Sequence, residues 1–157
     1  MKKEYITILI FCLLLLGCSQ NGSNNKNIIK KCTYIRDQSA SDYVSTIDYN
    51  IYSSNGIVNK VEQTETIESM DETILDYFNK YFDSQYNDTK KIYGGYDYSI
   101  SKNNDKLIIK VTIDYEKFNL KEFVKNNPGM ENYINNDNKL TLEGAEKMYN
   151  SLGATCN

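Results

Sequence analysis

Asn55-Gly56 lies between two runs of period-two hydrophobicity, and no other dipeptide restricts the fold of this chain as strongly. On the near side Tyr43, Ile47, Tyr49 and Ile51 share one face; on the far side Ile57, Val61 and Ile67 do so within a run rich in β-branched residues. Asn-Gly accepts the positive φ angles of a tight primed turn, whose twist matches that of paired strands. The two runs therefore close on each other as an antiparallel hairpin. A second hairpin follows the same plan. Tyr96, Tyr98 and Ile100 alternate with Asp97, Ser99 and Ser101, and Asn103-Asn104-Asp105 supplies the turn. In its return strand Leu107, Ile109, Val111, Ile113 and Tyr115 occupy one face, and Ile108, Lys110, Thr112 and Asp114 the other. One side is thus expected to be buried and the other wet. Turns this short leave no room for the crossovers that parallel strands need. Cys32 to Arg36 is expected to add a short strand ahead of the first hairpin.

Helices fill the intervals. Ser69-Met70-Asp71-Glu72 has the capping-box pattern, in which a serine hydroxyl and a glutamate carboxylate satisfy the first amides of a helix. That helix is predicted to run to about Tyr86, with Ile74, Leu75, Phe78, Tyr81, Phe82 and Tyr86 along its inner stripe. Asn119-Leu120-Lys121-Glu122 opens a short helix that must stop near Pro128-Gly129. Thr141 caps the last one, whose inner stripe is Leu142, Ala145, Tyr149 and Leu152 and whose end is Gly153. The expected class is α+β: an antiparallel sheet of four to five strands in two hairpins, with helices on one face and a further signal helix in the precursor.

The first eighteen residues read as an address. Lys2 and Lys3 precede an apolar core from Tyr5 to Leu16, and Leu15-Leu16-Gly17-Cys18 is the substrate pattern of bacterial lipoprotein processing. A core of a dozen residues is too short to span a bilayer, which takes roughly 20. Residues 1–17 are therefore expected to be a signal peptide, leaving Cys18 as the acylated first residue, with chains such as palmitate. Two chains on one residue anchor stably where one is marginal. An ordinary secretory signal, or an uncleaved anchor, is the other reading. Residues 18–31, polar and without periodicity, read as a flexible tether, and 32–157 as one domain. As a coil the thirteen residues from Ser19 to Lys31 would hold that domain roughly 20 Å from the bilayer. The expected location is the extracytoplasmic face of the cell membrane, with the bilayer as partner through Cys18.

Processing changes the cysteine count. Cys12 leaves with the leader and Cys18 carries lipid, so Cys32 and Cys156 remain as a pair in an oxidising compartment. A disulfide between them is expected. Two separate thiols or a redox pair are the alternatives, but no Cys-x-x-Cys pattern supports the latter.

Histidine is absent from the chain, which excludes imidazole nucleophile pairs, His-ligated zinc and a neutral-pH imidazole base. The net charge of −3 becomes −4 once residues 1–17 are removed, and no basic stripe suits nucleic acid. Asp97 and Asp114 could act as a carboxylate pair, but both fall on the face expected to be solvated. Asn103-Asn104-Asp105 and Asn135-Asn136-Asp137-Asn138 carry oxygen ligands without the spacing of a calcium loop, so turn chemistry is the better account. No metal or cofactor is expected. The most suggestive cluster is Tyr93, Tyr96 and Tyr98 around Gly94-Gly95. Two glycines there allow either close approach of a ligand or partner strand, or a bulge with its tyrosines half-buried on the first helix.

With these elements in place the chain resembles the YehR-like family of small bacterial lipoproteins, whose function is unknown. The resemblance rests on the leader, the hairpin-helix-hairpin order, Val111-Thr112-Ile113-Asp114-Tyr115-Glu116-Lys117, and the closing helix that ends in Ser151-Leu152-Gly153-Ala154. It extends from Cys32 to the end and implies a membrane-tethered α+β domain outside the cytoplasm. The leading expectation is a non-enzymatic binding or accessory module of the envelope, meeting an envelope protein or small ligand. An enzyme using carboxylates or tyrosine on envelope polymers is the alternative. A two-lobed solute receptor needs more than the 140 residues that remain, although a small accessory subunit of a transporter does not.

Overall fold

The computed structural model describes residues 27–157; the expected signal peptide (residues 1–17), Cys18 and residues 19–26 lie outside the described residues. In chain order the elements are β1 (Asn27–Gln38), β2 (Tyr43–Ser54), β3 (Ile57–Glu68), α1 (Glu72–Tyr93), β4 (Tyr96–Asn103), β5 (Lys106–Asp114), α2 (Leu120–Asn126), α3 (Leu142–Ser151) and β6 (Thr155–Cys156). The strands form one open antiparallel sheet in the order β4-β5-β3-β2-β1-β6. The α+β class and the two hairpins are as expected. Among the described residues the strands number six, because Thr155–Cys156 pairs with Thr33 and Cys32.

β1 is longer than its apolar residues suggest. It begins at Asn27, so residues 27–31 of the expected tether are strand, paired from Asn27↔Ser54 to Lys31↔Asn50. The pairing exploits backbone groups, which polar Asn and Lys supply as well as valine does. At the first turn Asn55 (φ 52°) and Gly56 (φ 76°) both lie in the left-handed region, as a type I′ hairpin requires. A register shift at Tyr52/Ser53 changes the phase of the strand ends, so Val58 rather than Ile57 is the buried residue after the turn.

Asp71, not Ser69, caps α1: its carboxylate accepts from the Thr73 amide at 2.8 Å. Ser69 instead joins two segments, donating to the Asp42 carbonyl at 2.7 Å and accepting from the Asp71 amide. The helix also continues past Tyr86 to Tyr93, with Lys90 and Lys91 in its last turn where cations suit the dipole. Its inner stripe keeps Leu75, Phe78, Phe82 and Tyr86, whereas Tyr81 is exposed beside a stacked Tyr77. Thr141 caps α3 as expected, accepting from the Gly144 amide at 2.9 Å. Leu152 is exposed because it follows the last helical residue, where the inner stripe ends.

The core lies on one face of the sheet, where Tyr49, Ile51, Val61, Ile67, Leu107, Ile109 and Val111 meet Leu75, Ala145 and Tyr149 of the helices. Each fully buried aliphatic chain there stabilises by about 2 kcal/mol. Tyr49 and Tyr149 pack at 4.2 Å between ring centroids and seat α3 on β2. The opposite face is polar, as in the row Thr33, Asp48, Thr64, Lys110 and Ser99 across five strands. No helix among the described residues is long and apolar enough to cross a membrane.

Candidate functional site

Tyr93, Tyr96 and Tyr98 are turned inward by the α1 and β4 packing. Tyr96 is buried, and Tyr93 and Tyr98 are half-buried. Tyr86 of α1 packs on Tyr96 and Tyr98, each at 5.7 Å, while Tyr93 packs on Phe118 and Phe123 at 5.5 and 5.2 Å. The Tyr98 hydroxyl donates to the Asp83 carboxylate at 2.9 Å. Burial pushes the Tyr96 hydroxyl far above the ordinary phenol range. Tyr96 belongs to the core, and Tyr93 and Tyr98 pack against it half-buried rather than standing out as an open aromatic surface. The segment approaching the glycines belongs to the same chain: a Cβ on Gly95 would lie 2.4 Å from the Phe118 amide nitrogen and 2.6 Å from the Asp114 carbonyl.

Asp97 and Asp114 each form an ion pair of their own. Asp97 sits opposite Thr112, not Asp114, and accepts from Lys90 Nζ at 2.8 Å. Asp114 accepts from Lys117 Nζ at 2.7 Å. Each lysine holds its carboxylate below the usual range, so neither is a proton donor near neutrality. In the Asn135 turn, Asn135 Oδ1 accepts from the amides of Asp137 and Lys139, both at 3.0 Å. Its oxygen is spent on the turn itself.

The titratable group that sequence reading missed is Glu65, 5% exposed on the inner face of β3 between Ile47 and Ile109. Its Oε1 accepts from Ser45 Oγ at 2.8 Å. Burial raises its pKa, against the opposing pull of the Ser45 hydrogen bond and the Arg36 charge. The carboxylate in turn helps burial push the Tyr49 hydroxyl up to about 12. The signal was present in the phase of the strand: Val61 and Ile67 point inward, so Gln63 and Glu65 must as well.

That shift predicts a pH effect. The folded state holds the Glu65 proton more tightly than the unfolded chain does. Its contribution to stability is thus complete below the unfolded carboxylate value and is lost as pH rises through the raised one. Glu65→Gln still accepts from Ser45 and cannot ionise. Thermal melts of this variant should therefore fall less between about pH 4 and pH 7 than those of the parent. Glu65→Ala should be less stable throughout, by about 1–3 kcal/mol. A Glu65→Gln profile parallel to the parent would show that the carboxyl does not titrate across folding.

Two open depressions lie at opposite ends of the sheet. One, of about 680 Å³, is lined by Tyr43, Met70 and the carboxylates of Asp42, Glu68, Asp71, Glu72 and Asp105. Lys106 and Lys102 reach Glu68 and Glu72 at 2.7 and 2.8 Å. The other, of about 600 Å³, has an apolar floor and carries Lys121 and Lys139. Among the described residues no group of three or more His, Cys, Asp or Glu is placed to hold a metal ion.

No protein-family model and no curated protein matches the chain. Two solved structures do. An NMR structure of a protein from Streptococcus pneumoniae TIGR4 aligns at a TM-score of 0.49 and 14% identity, covering 90% of this chain and 92% of its own. The NMR structure of the E. coli YehR protein aligns at a TM-score of 0.56 and 13% identity, covering 83% of this chain and 92% of that one. The sheet and its helices therefore have a YehR-like fold.

Proposed function

We propose that this chain is a lipoprotein held on the extracytoplasmic face of the cell membrane by acylated Cys18, and that it acts there as a non-enzymatic binding or accessory module of the envelope. The observation that carries the reading is the bond between Cys32 and Cys156, which are 124 residues apart and directly opposite on β1 and β6. Structural disulfides persist where the surroundings are oxidising. A bond joining the two ends of the described fold accords with export under the Leu15-Leu16-Gly17-Cys18 pattern, as proposed here. The pairing of Asp97 and Asp114 each with its own lysine, which holds both as ionised carboxylates, supports binding over acid–base chemistry. Glu65 is the observation that most favours an enzyme on envelope polymers. At 5% exposure it is out of reach of a polymer and serves the sheet instead.

Growth with an alkyne-bearing fatty acid tests the anchor. The full chain should take up label in the membrane fraction, and Cys18→Ala should lose all of it. Peptide mapping without reductant should recover Cys32 joined to Cys156. An unlabelled chain in the soluble fraction, with both thiols open to alkylation, would overturn the reading.

A further inference from the structure

The end of the sheet nearest the anchor carries a built depression that nothing else in the fold occupies. β1 starts at Asn27 opposite Ser54, so the chain enters the sheet at the end that bears the Asn55-Gly56 turn. Only residues 19–26 separate Cys18 from that point, and such a length cannot reach beyond roughly 30 Å in any conformation. The depression of about 600 Å³ lies at this same end, two strand spacings from β1, or ~10 Å across the sheet. Backbone hydrogen bonds hold its walls together: Val58 to the Leu140 carbonyl, Leu142 to the Gly56 carbonyl and Tyr115 to the Asn59 carbonyl, each at 2.9 Å.

Its chemistry is amphiphilic. The floor is apolar, made by Val58, Phe118, Leu120 and Leu140. Lys121 and Lys139 stand on its rim, and neither has a carboxylate within 4.0 Å among the described residues, whereas most lysines of the fold are paired. Glu116 is the single acid in the lining. At the far end of the sheet the corresponding depression is lined by five carboxylates, of which Glu68 and Glu72 are paired with Lys106 and Lys102. An anionic leaflet attracts the lysine-rimmed end and repels the acidic one, and the entry of the chain at the lysine-rimmed end favours the same orientation.

We infer that this depression takes an anionic phospholipid of the bilayer in which the chain is anchored, an inference that rests on the Cys18 anchor proposed above. The phosphate sits at the Lys121 and Lys139 rim, and the glycerol end of an acyl chain lies on the Val58–Leu140 floor. The volume falls in the range of ordinary ligand pockets. The module would then lie against the membrane by one end, with its acidic end presented outward.

The test uses the full-length, membrane-held chain in vesicles of phosphatidylcholine with a minority of phosphatidylglycerol bearing a photoactivatable acyl chain. After illumination, labelled peptides are mapped by mass spectrometry. Label is expected in 54–59, 115–121 and 138–140, and not in 39–44 or 68–72. Each lysine near an anionic leaflet contributes about fivefold to binding, so Lys121→Gln with Lys139→Gln should cut that label at least fivefold. Lys80→Gln with Lys110→Gln, which touches neither wall, should leave it unchanged. Uniform labelling, or labelling indifferent to the first pair, would overturn the site. The mass of the N-terminal peptide from the same sample reports Cys18 separately. Lipid on Cys18 with no label in the depression removes only this inference; label there with a bare Cys18 removes the anchor and leaves the site standing.

Discussion

Replacing Cys32 and Cys156 together by serine should lower the stability of the folded chain by about 2–5 kcal/mol, the range seen when native disulfides are removed. The bond closes a loop of 124 residues, and the chain-entropy treatment gives about 5 kcal/mol for a loop of that length. For a domain of this size the melting temperature should fall by roughly 10–20 °C. The loss should also be local. β6 is only Thr155–Cys156, held by two register pairs to β1 and by the exchange of hydrogen bonds between Lys31 and Asn157. Without the sulfur bridge so short an edge strand cannot offset the entropy of fixing the chain end. Hydrogen exchange at residues 154–157 should therefore rise to unprotected rates while β2 and β3 stay protected. An unchanged melting temperature and a protected C-terminus in the double serine variant would show that the bridge adds nothing to the fold.

Gly95→Ala should cost at least about 3 kcal/mol and lower the melting temperature by roughly 10 °C or more. Two causes act together. Gly95 has φ +57°, where a side chain is strained. The added methyl would also lie 2.4–2.7 Å from backbone atoms of Asp114, Lys117 and Phe118, none of which can turn aside as a side-chain tip would. The segment to be displaced carries the Asp114 amide bond to the Gly95 carbonyl at 2.7 Å and the Asn119 bond to Tyr93 at 2.8 Å. Gly56→Ala separates the two causes. It too has a positive φ, +76°, but a Cβ there has no neighbour within 4 Å, so the loss should be about 1 kcal/mol. Chemical denaturation of both variants gives the comparison, and equal losses would reduce the role of Gly95 to its backbone angle.

The Gly94-Gly95 pair also shows how local and distant information divide. The dipeptide announces a close approach of backbone, but the approaching segment, 114–118, lies some twenty residues on. Only the pairing of β4 with β5 brings it there. The tyrosines around the pair are ambiguous for the same reason. Alternation places Tyr96 and Tyr98 on one face, and the identity of that face depends on α1 lying over it. Glu65 was hidden by its company. Glu62-Gln63-Thr64-Glu65 reads as a polar run, and its inward half becomes visible only through the phase of Val61 and Ile67. Arg36, the lone arginine of the chain, opposes the rise of the Glu65 pKa from β1, two strands away, a relation that no spacing in the sequence expresses.

Elements whose causes lie within a few residues could be read directly from the amino acids. The Asn55-Gly56 hairpin, the alternation from Leu107 to Tyr115 and the Thr141 cap each depend on local dihedral preference or on a side chain reaching its own backbone, and all three are present in the fold. The rest waited on long-range pairing. That β5 rather than β4 lies beside β3, that the chain end returns to β1, and that Val58, Phe118 and Leu140 meet under a lysine rim are facts about neighbours distant in sequence. Hydrophobic burial rewards any arrangement that covers the apolar face, and backbone hydrogen bonds serve any partner strand equally. The choice among arrangements is therefore made by how the whole set packs, which no single segment specifies.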